Sequence, residues 1–137
     1  MNIHQNYTLI TGGSSGIGYE LAKLFAKDGN NLILVSRDQA MLDQAATDIR
    51  QQYPVEIITI SKDLFEPTNA FDLYSEIKGK GLLVDTLVND AGQGLYGEFV
   101  DTAIERELAI INLNISSLVV LTKLFLQDMW KEARGKS

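Results

Sequence analysis

The chain has 137 residues, 45% of them hydrophobic and 22% charged. That is globular composition, and the length suits one domain with a sizeable core. Eighteen acids against twelve Lys and Arg give a net charge of −6, which argues against nucleic acid or an anionic membrane as a partner, since both are held by basic side chains. There is no Cys and one His, His4. Disulfides, thiolate chemistry and Cys-ligated zinc are excluded, and a His-based metal site or catalytic triad is argued against.

The first residues, Met1 to Asn6, show no basic segment running into a long apolar one, so a cytoplasmic location is the expectation. Tyr7 to Thr11 reads as a short buried strand, followed by a turn rich in Gly and Ser from Gly12 to Gly18. Ile17, Leu21, Leu24 and Phe25 then recur at helical spacing, and Gly29-Asn30-Asn31 stops that helix. Leu32 to Val35 is a continuous apolar run, the pattern of a parallel strand covered on both faces. Asp38 can cap the next helix, whose expected inner side is Met41, Leu42, Ala45 and Ile49. Val55 to Ile60 reads as the third strand. A helix from about Thr68 to Lys78 carries the stripe Phe71, Tyr74 and Ile77. Leu83 to Asn89 is the fourth strand, and a Gly-rich loop, Ala91 to Gly97, leads into a long helix from about Thr102 to Trp130. Its apolar stretch from Leu108 is interrupted by Asn112, Asn114, Lys123, Gln127 and Asp128, so a buried soluble helix is expected rather than a membrane span.

Strands and helices alternate, which predicts an α/β fold with a parallel sheet and right-handed crossovers. Double winding predicts the strand order 3-2-1-4 and a ligand site at the carboxyl ends of strands one and four. Both Gly-rich loops sit there. Thr11-Gly12-Gly13-Ser14-Ser15-Gly16-Ile17-Gly18 lies between a strand and a helix, the context a phosphate loop requires. Gly12 permits the tight turn, Gly16 lets the backbone approach a pyrophosphate, and Gly18 lets the helix pack close to the sheet. The helix start offers free N–H groups and a positive dipole end to the phosphates. The Gly-Lys-Ser at the chain end, Gly135-Lys136-Ser137, is no P-loop, because Trp130 stands where its first Gly belongs.

The spacing Thr-Gly-x-x-x-Gly-x-Gly resembles the signature of the short-chain dehydrogenase/reductase family. Ser36-Arg37-Asp38, Lys62-Asp63-Leu64, Asn89-Asp90-Ala91-Gly92 and Ile111-Asn112-Leu113 follow in that family's order over nearly the whole chain. The resemblance implies one dinucleotide-binding Rossmann domain over residues 1–137, incomplete at its C-terminus. It also implies an oxidoreductase that moves hydride between a nicotinamide cofactor and a small-molecule carbonyl or alcohol substrate. Ser36 stands where NAD-using relatives carry an acid, and Arg37 can pair with a 2′-phosphate, so the implied cofactor is NADP rather than NAD. A solvated surface Arg is the plainer reading of Arg37, and Asp38 is better placed as a helix cap than as a ribose ligand.

By the same resemblance Ser14, Ser15 and Ile17 join the three glycines in binding the cofactor. Asp63 and the backbone of Leu64 meet the adenine, and Asn89, Ala91 and Gly92 lie along the nicotinamide ribose. Asp63 could instead accept backbone N–H bonds at a strand end. Asp90 departs from the family's Asn, which leaves a sheet-bracing role in doubt more than cofactor binding. Asn112 matches the residue that helps hold a water in the proton relay; an Asn bonded within the core or facing a wet loop is the alternative.

The family's catalytic Ser and Tyr-x-x-x-Lys match nothing before Ser137, so these residues alone are expected to turn over no substrate. Tyr19 to Lys23 and Tyr74 to Lys78 spell Tyr-x-x-x-Lys by chance, on helices that do not reach the nicotinamide end. A homo-oligomer through the long helix from about Thr102 to Trp130 is expected, with Ile104, Leu108, Ile111, Ile115, Val119 and Phe125 toward the sheet. Ala109, Leu113, Val120 and Leu124 would lie away from it. The competing class is a non-catalytic nucleotide-binding or dimerisation module.

Overall fold

Four short apolar runs pair side by side in the computed structural model, which describes residues 6–14, 16–64, 66–89 and 119–131. They are β1 (Asn6–Thr11), β2 (Asn31–Ser36), β3 (Ile57–Ser61) and β4 (Leu83–Asn89). All pairings are parallel, in the order β3-β2-β1-β4, as the alternation of elements predicts. The third strand starts at Ile57 rather than Val55, because the Val55 N–H is taken by the Tyr53 carbonyl 2.9 Å away in the turn around Pro54. β1 sits between β2 and β4. Thr11 is level with Val35 on one side and Asn89 on the other, so the three strands end together.

The connections are α1 (Gly16–Lys27), α2 (Gln39–Gln52) and α3 (Pro67–Gly79). Residues 119–131 are helical and form α4. Alternate strand residues feed two cores on opposite faces of the sheet. Leu9, Ile33, Val35 and Ile60 pack with Leu73 and Ile77 of α3 and Leu121 and Phe125 of α4. Ile10, Leu32, Leu34 and Ile57 pack with Ala22 and Ala26 of α1 and Leu42, Ala45, Ala46 and Ile49 of α2. The sheet is therefore doubly wound. Each fully buried Leu or Ile contributes about 1.5–3 kcal/mol.

The inner faces of the helices differ from the large-residue stripes. In α1 the sheet-facing residues are Gly18, Ala22 and Ala26, while Ile17 and Leu24 are 66% and 59% exposed. Small side chains let the helix backbone lie close to the strands, and the bulkier stripe turns to the flank. Met41 and Phe71 are likewise exposed, Tyr74 is half-buried, and Ala70 and Leu73 take the inner positions of α3. In α4 Phe125 points inward as expected. Val119 points out, Leu121 replaces it, and Val120 and Leu124 are half-buried. The rest of the expected long helix lies outside the described residues, including Ile104, Leu108, Ala109, Ile111, Leu113 and Ile115. Among the described residues no helix is long and apolar enough to cross a membrane.

Candidate functional site

The chain leaves β1 through Gly12, whose φ of 77° is open to glycine at little cost. Its N–H donates to the Val35 carbonyl at 2.7 Å, tying the turn to the end of β2. Gly13 follows, pressed onto the core. A Cβ there would lie 2.9 Å from Leu34 Cδ2 and 3.4 Å from Ile10 Cγ2. The sequence pattern assigns Gly13 no role; only the packed strands reveal it.

Gly16 opens α1 with φ 60°, and a Cβ built on it would meet none of the described residues within 4 Å. Among the described residues nothing crowds the start of α1, where the helix leaves backbone N–H groups without intrahelical partners. No acidic residue occupies that turn to neutralise the positive dipole end. Such an arrangement fits a phosphate group. Gly18, two residues on, is buried against the sheet as expected, while Ile17 is exposed beside the opening.

The end of β2 supplies the next wall. Ser14 Oγ donates to Ser36 Oγ at 2.9 Å. The Asp38 N–H also reaches Ser36 Oγ, at 3.3 Å. The Asp38 carboxylate accepts from the Met41 N–H at 3.1 Å and caps α2, so its side chain serves the helix. Arg37 is exposed, and its carbonyl accepts from Ser61 Oγ at 3.0 Å, which fixes its backbone to the end of β3. The Asp63 carbonyl accepts from Asn69 Nδ2 at 2.8 Å. The Leu64 side chain is buried in the core with α3 and α4.

On the β4 side, fully buried Thr11 reaches Asn89. Thr11 Oγ1 donates toward Asn89 Oδ1 at 3.1 Å, with the Val88 carbonyl at 3.5 Å. This bond locks the ends of β1 and β4 together, a role missed in the sequence because its partners are 78 residues apart. The structure thus brings Gly12, Ser14, Gly16, Ile17, Ser36, Arg37 and Asn89 to one end of the sheet. Ser15, Asp90, Ala91, Gly92 and Asn112 lie outside the described residues. Among the described residues no group of His, Cys, Asp or Glu could hold a metal ion.

The two chance Tyr-x-x-x-Lys turns are spent elsewhere. Lys23 Nζ lies 4.9 Å from the centre of the Tyr19 ring and pairs with Glu20. Tyr74 Oη donates to the Asp128 carboxylate at 2.9 Å, and Lys78 Nζ pairs with the same carboxylate at 3.1 Å. Burial and that carboxylate hold the Tyr74 phenol above its ordinary pKa, the opposite of what a phenolate-forming acid needs.

A family model described as short chain dehydrogenase matches residues 6–136. Curated relatives include the very-long-chain 3-oxoacyl-CoA reductases of Macaca fascicularis and Homo sapiens, 34% and 33% identical over 138 aligned residues. Each alignment covers 94% of this chain and 42% of the relative. Among solved structures, L-sorbose reductase from Gluconobacter frateurii, complexed with NADPH and L-sorbose, superposes with a TM-score of 0.79 at 30% identity. That match covers 98% of this chain and 51% of the reductase. A short-chain dehydrogenase from Sphingobium yanoikuyae in complex with NADPH gives 0.71 at 31% identity, over 90% of this chain and 49% of that one. The chain therefore spans less than half the length of these curated relatives and about half that of these structures.

Proposed function

The chain belongs to the short-chain dehydrogenase family, and from that premise we propose that it holds NADP(H) across the carboxyl ends of β1, β2 and β4 for an oxidoreductase acting on a hydroxyl/carbonyl pair. The observation that carries this reading is the phosphate loop. Gly12 turns it, Gly13 seats it on the core, and Gly16 leaves the start of α1 open to an anion. The loop N–H groups and the helix dipole hold the pyrophosphate. Asp63 and the Leu64 backbone flank the adenine, and Asn89, Ala91 and Gly92 the nicotinamide ribose. Bound there, the nicotinamide supplies or accepts the hydride. Asn112, outside the described residues, matches the family position that helps hold a water in the proton relay. These 137 residues carry no match to the family's Ser and Tyr-x-x-x-Lys, so they bind the cofactor without turning over a carbonyl substrate.

NADP is preferred over NAD because the end of β2 presents hydroxyls and an arginine. Asp38, the acid nearest Ser36 in sequence, is engaged at α2. The NADPH in the two similar structures supports the same preference. The substrate is a ketone-type carbonyl or the matching alcohol, the chemistry shared by the 3-oxoacyl and L-sorbose relatives. Calorimetric titration tests the preference. Arg37→Ala should weaken NADPH binding by about 1–3 kcal/mol, the worth of a charge-assisted contact, and leave NADH nearly unchanged. Equal losses for both cofactors would refute the 2′-phosphate role of Arg37.

A further inference from the structure

Among the described residues β3 pairs with β2 alone, so its other side is an edge of the sheet. The N–H and carbonyl of one strand residue point to the same side, and those of the next residue to the other. The Glu56 carbonyl accepts from the Leu32 N–H, and the Lys62 N–H donates to the Ser36 carbonyl, both at 2.9 Å. Glu56, Ile58, Ile60 and Lys62 therefore turn their backbone groups to β2. Those of Ile57, Thr59 and Ser61 turn outward. Such a row is a template for a strand of another molecule. One of its groups is already taken. The Arg50 guanidinium, in the last turn of α2, donates to the Ile57 carbonyl. Arg50 is held within reach because its helix neighbours Ala46 and Ile49 are buried in one core with Ile57.

We infer that Arg50 guards the β3 edge: by holding the outward Ile57 carbonyl it closes this edge to the same strand of a second copy of the chain. The guard acts in two ways. The first carbonyl of the outward row has its donor. The guanidinium is also exposed and charged, and a strand laid along the edge would have to strip water from it. Only the backbone groups of Thr59 and Ser61 then complete the row. Two residues fall short of a strand, which takes about three or more. The occupant kept out is a second copy because the segment suits pairing with itself. Ile57-Ile58-Thr59-Ile60 is β-branched throughout and carries no charge. Without Arg50, two copies can meet in an antiparallel pair centred on Thr59, each offering three residues. Arg50 works at the start of β3, the opposite end of the sheet from Gly12, so the guard is separate from the phosphate loop.

Hydrogen exchange, followed amide by amide in the 137-residue chain at a low and a high protein concentration, tests the guard. In the wild type the Thr59 and Ser61 N–H groups should exchange at the same rate at both. In Arg50→Ala they should slow roughly fivefold or more between about 10 and about 200 µM, as pairing between copies covers them. Loss of a merely structural contact would loosen α2 and quicken these amides alike at both concentrations, and that result overturns the inference. Rates in Arg50→Ala that match the wild type, or slowing confined to β4 or α4, overturn it too. So does a wild type whose own Thr59 and Ser61 amides slow with concentration, because its edge would then stand open with Arg50 in place.

Discussion

Gly13 and Gly16 lie three residues apart and are glycine for different reasons. Gly13 is filled from behind by Leu34 and Ile10; Gly16 has a left-handed backbone conformation and no described residue where a Cβ would sit. Substitution should therefore separate stability from binding. Gly13→Ala must push Leu34, a fully buried side chain in a packed core, and should cost about 1–3 kcal/mol by thermal unfolding. Gly16→Ala meets no neighbour among the described residues and should cost the backbone strain, about 1 kcal/mol. Its Cβ then intrudes where the pyrophosphate lies, so NADPH affinity should fall at least tenfold. Equal effects of the two substitutions on stability and binding would contradict this division. The strand–turn–helix placement of the glycines was legible in the sequence, as was the capping role of Asp38. The duties of Gly13, Thr11 and the Ser14–Ser36 pair were not, because each depends on a partner more than twenty residues away.

At the scale of elements, α4 is fastened to α3 by one carboxylate. Asp128 accepts from Tyr74 and pairs with Lys78, and the Tyr74 ring meets Phe125 edge-on with centroids 5.2 Å apart. The two polar contacts are unequal. Lys78 is 46% exposed, so water screens its ion pair, and Lys78→Met should cost less than about 0.5 kcal/mol. The Tyr74 hydrogen bond is part-buried and ends on a charge, so Tyr74→Phe should cost about 1–2 kcal/mol. Hydrogen exchange along α4 checks the ranking: opening should quicken more in Tyr74→Phe than in Lys78→Met, and the reverse order would refute it. The strands were readable because a parallel strand buried on both faces must be a continuous apolar run, as Leu32 to Val35 is. The inner faces of the helices were not. Periodicity marks every apolar stripe, whereas the sheet selected the small residues Ala22 and Ala26 and left Ile17 and Leu24 on the flank.

For the whole molecule, we propose self-association, which two surfaces of the described residues would serve. Among the described residues β4 pairs only with β1, and its Leu87 and Val88 are half-buried. A strand of that character at a sheet edge is an invitation to pair. The outer side of α4, opposite Leu121 and Phe125, carries Val119, Leu126 and Trp130, all more than half exposed. The proposal predicts self-association through this helix. Light scattering at tens of micromolar should give a mass above the monomer, lowered by Trp130→Lys with Leu126→Lys. A monodisperse wild-type monomer would count against both surfaces.

The central claim is that the loop between β1 and α1 receives the dinucleotide. Amide chemical shifts of the isotopically labelled chain, followed while NADPH is added, test it most directly. The largest saturable shifts should fall on Gly12 to Gly18 and on Ser36 to Asp38, with a weaker response to NADH. The cleft between α1 and α2 is lined by Ser14 of the loop and by Met41, Gln44, Ala45 and Asp48; shifts confined to its α2 residues, or no saturable shifts at all, would contradict the claim.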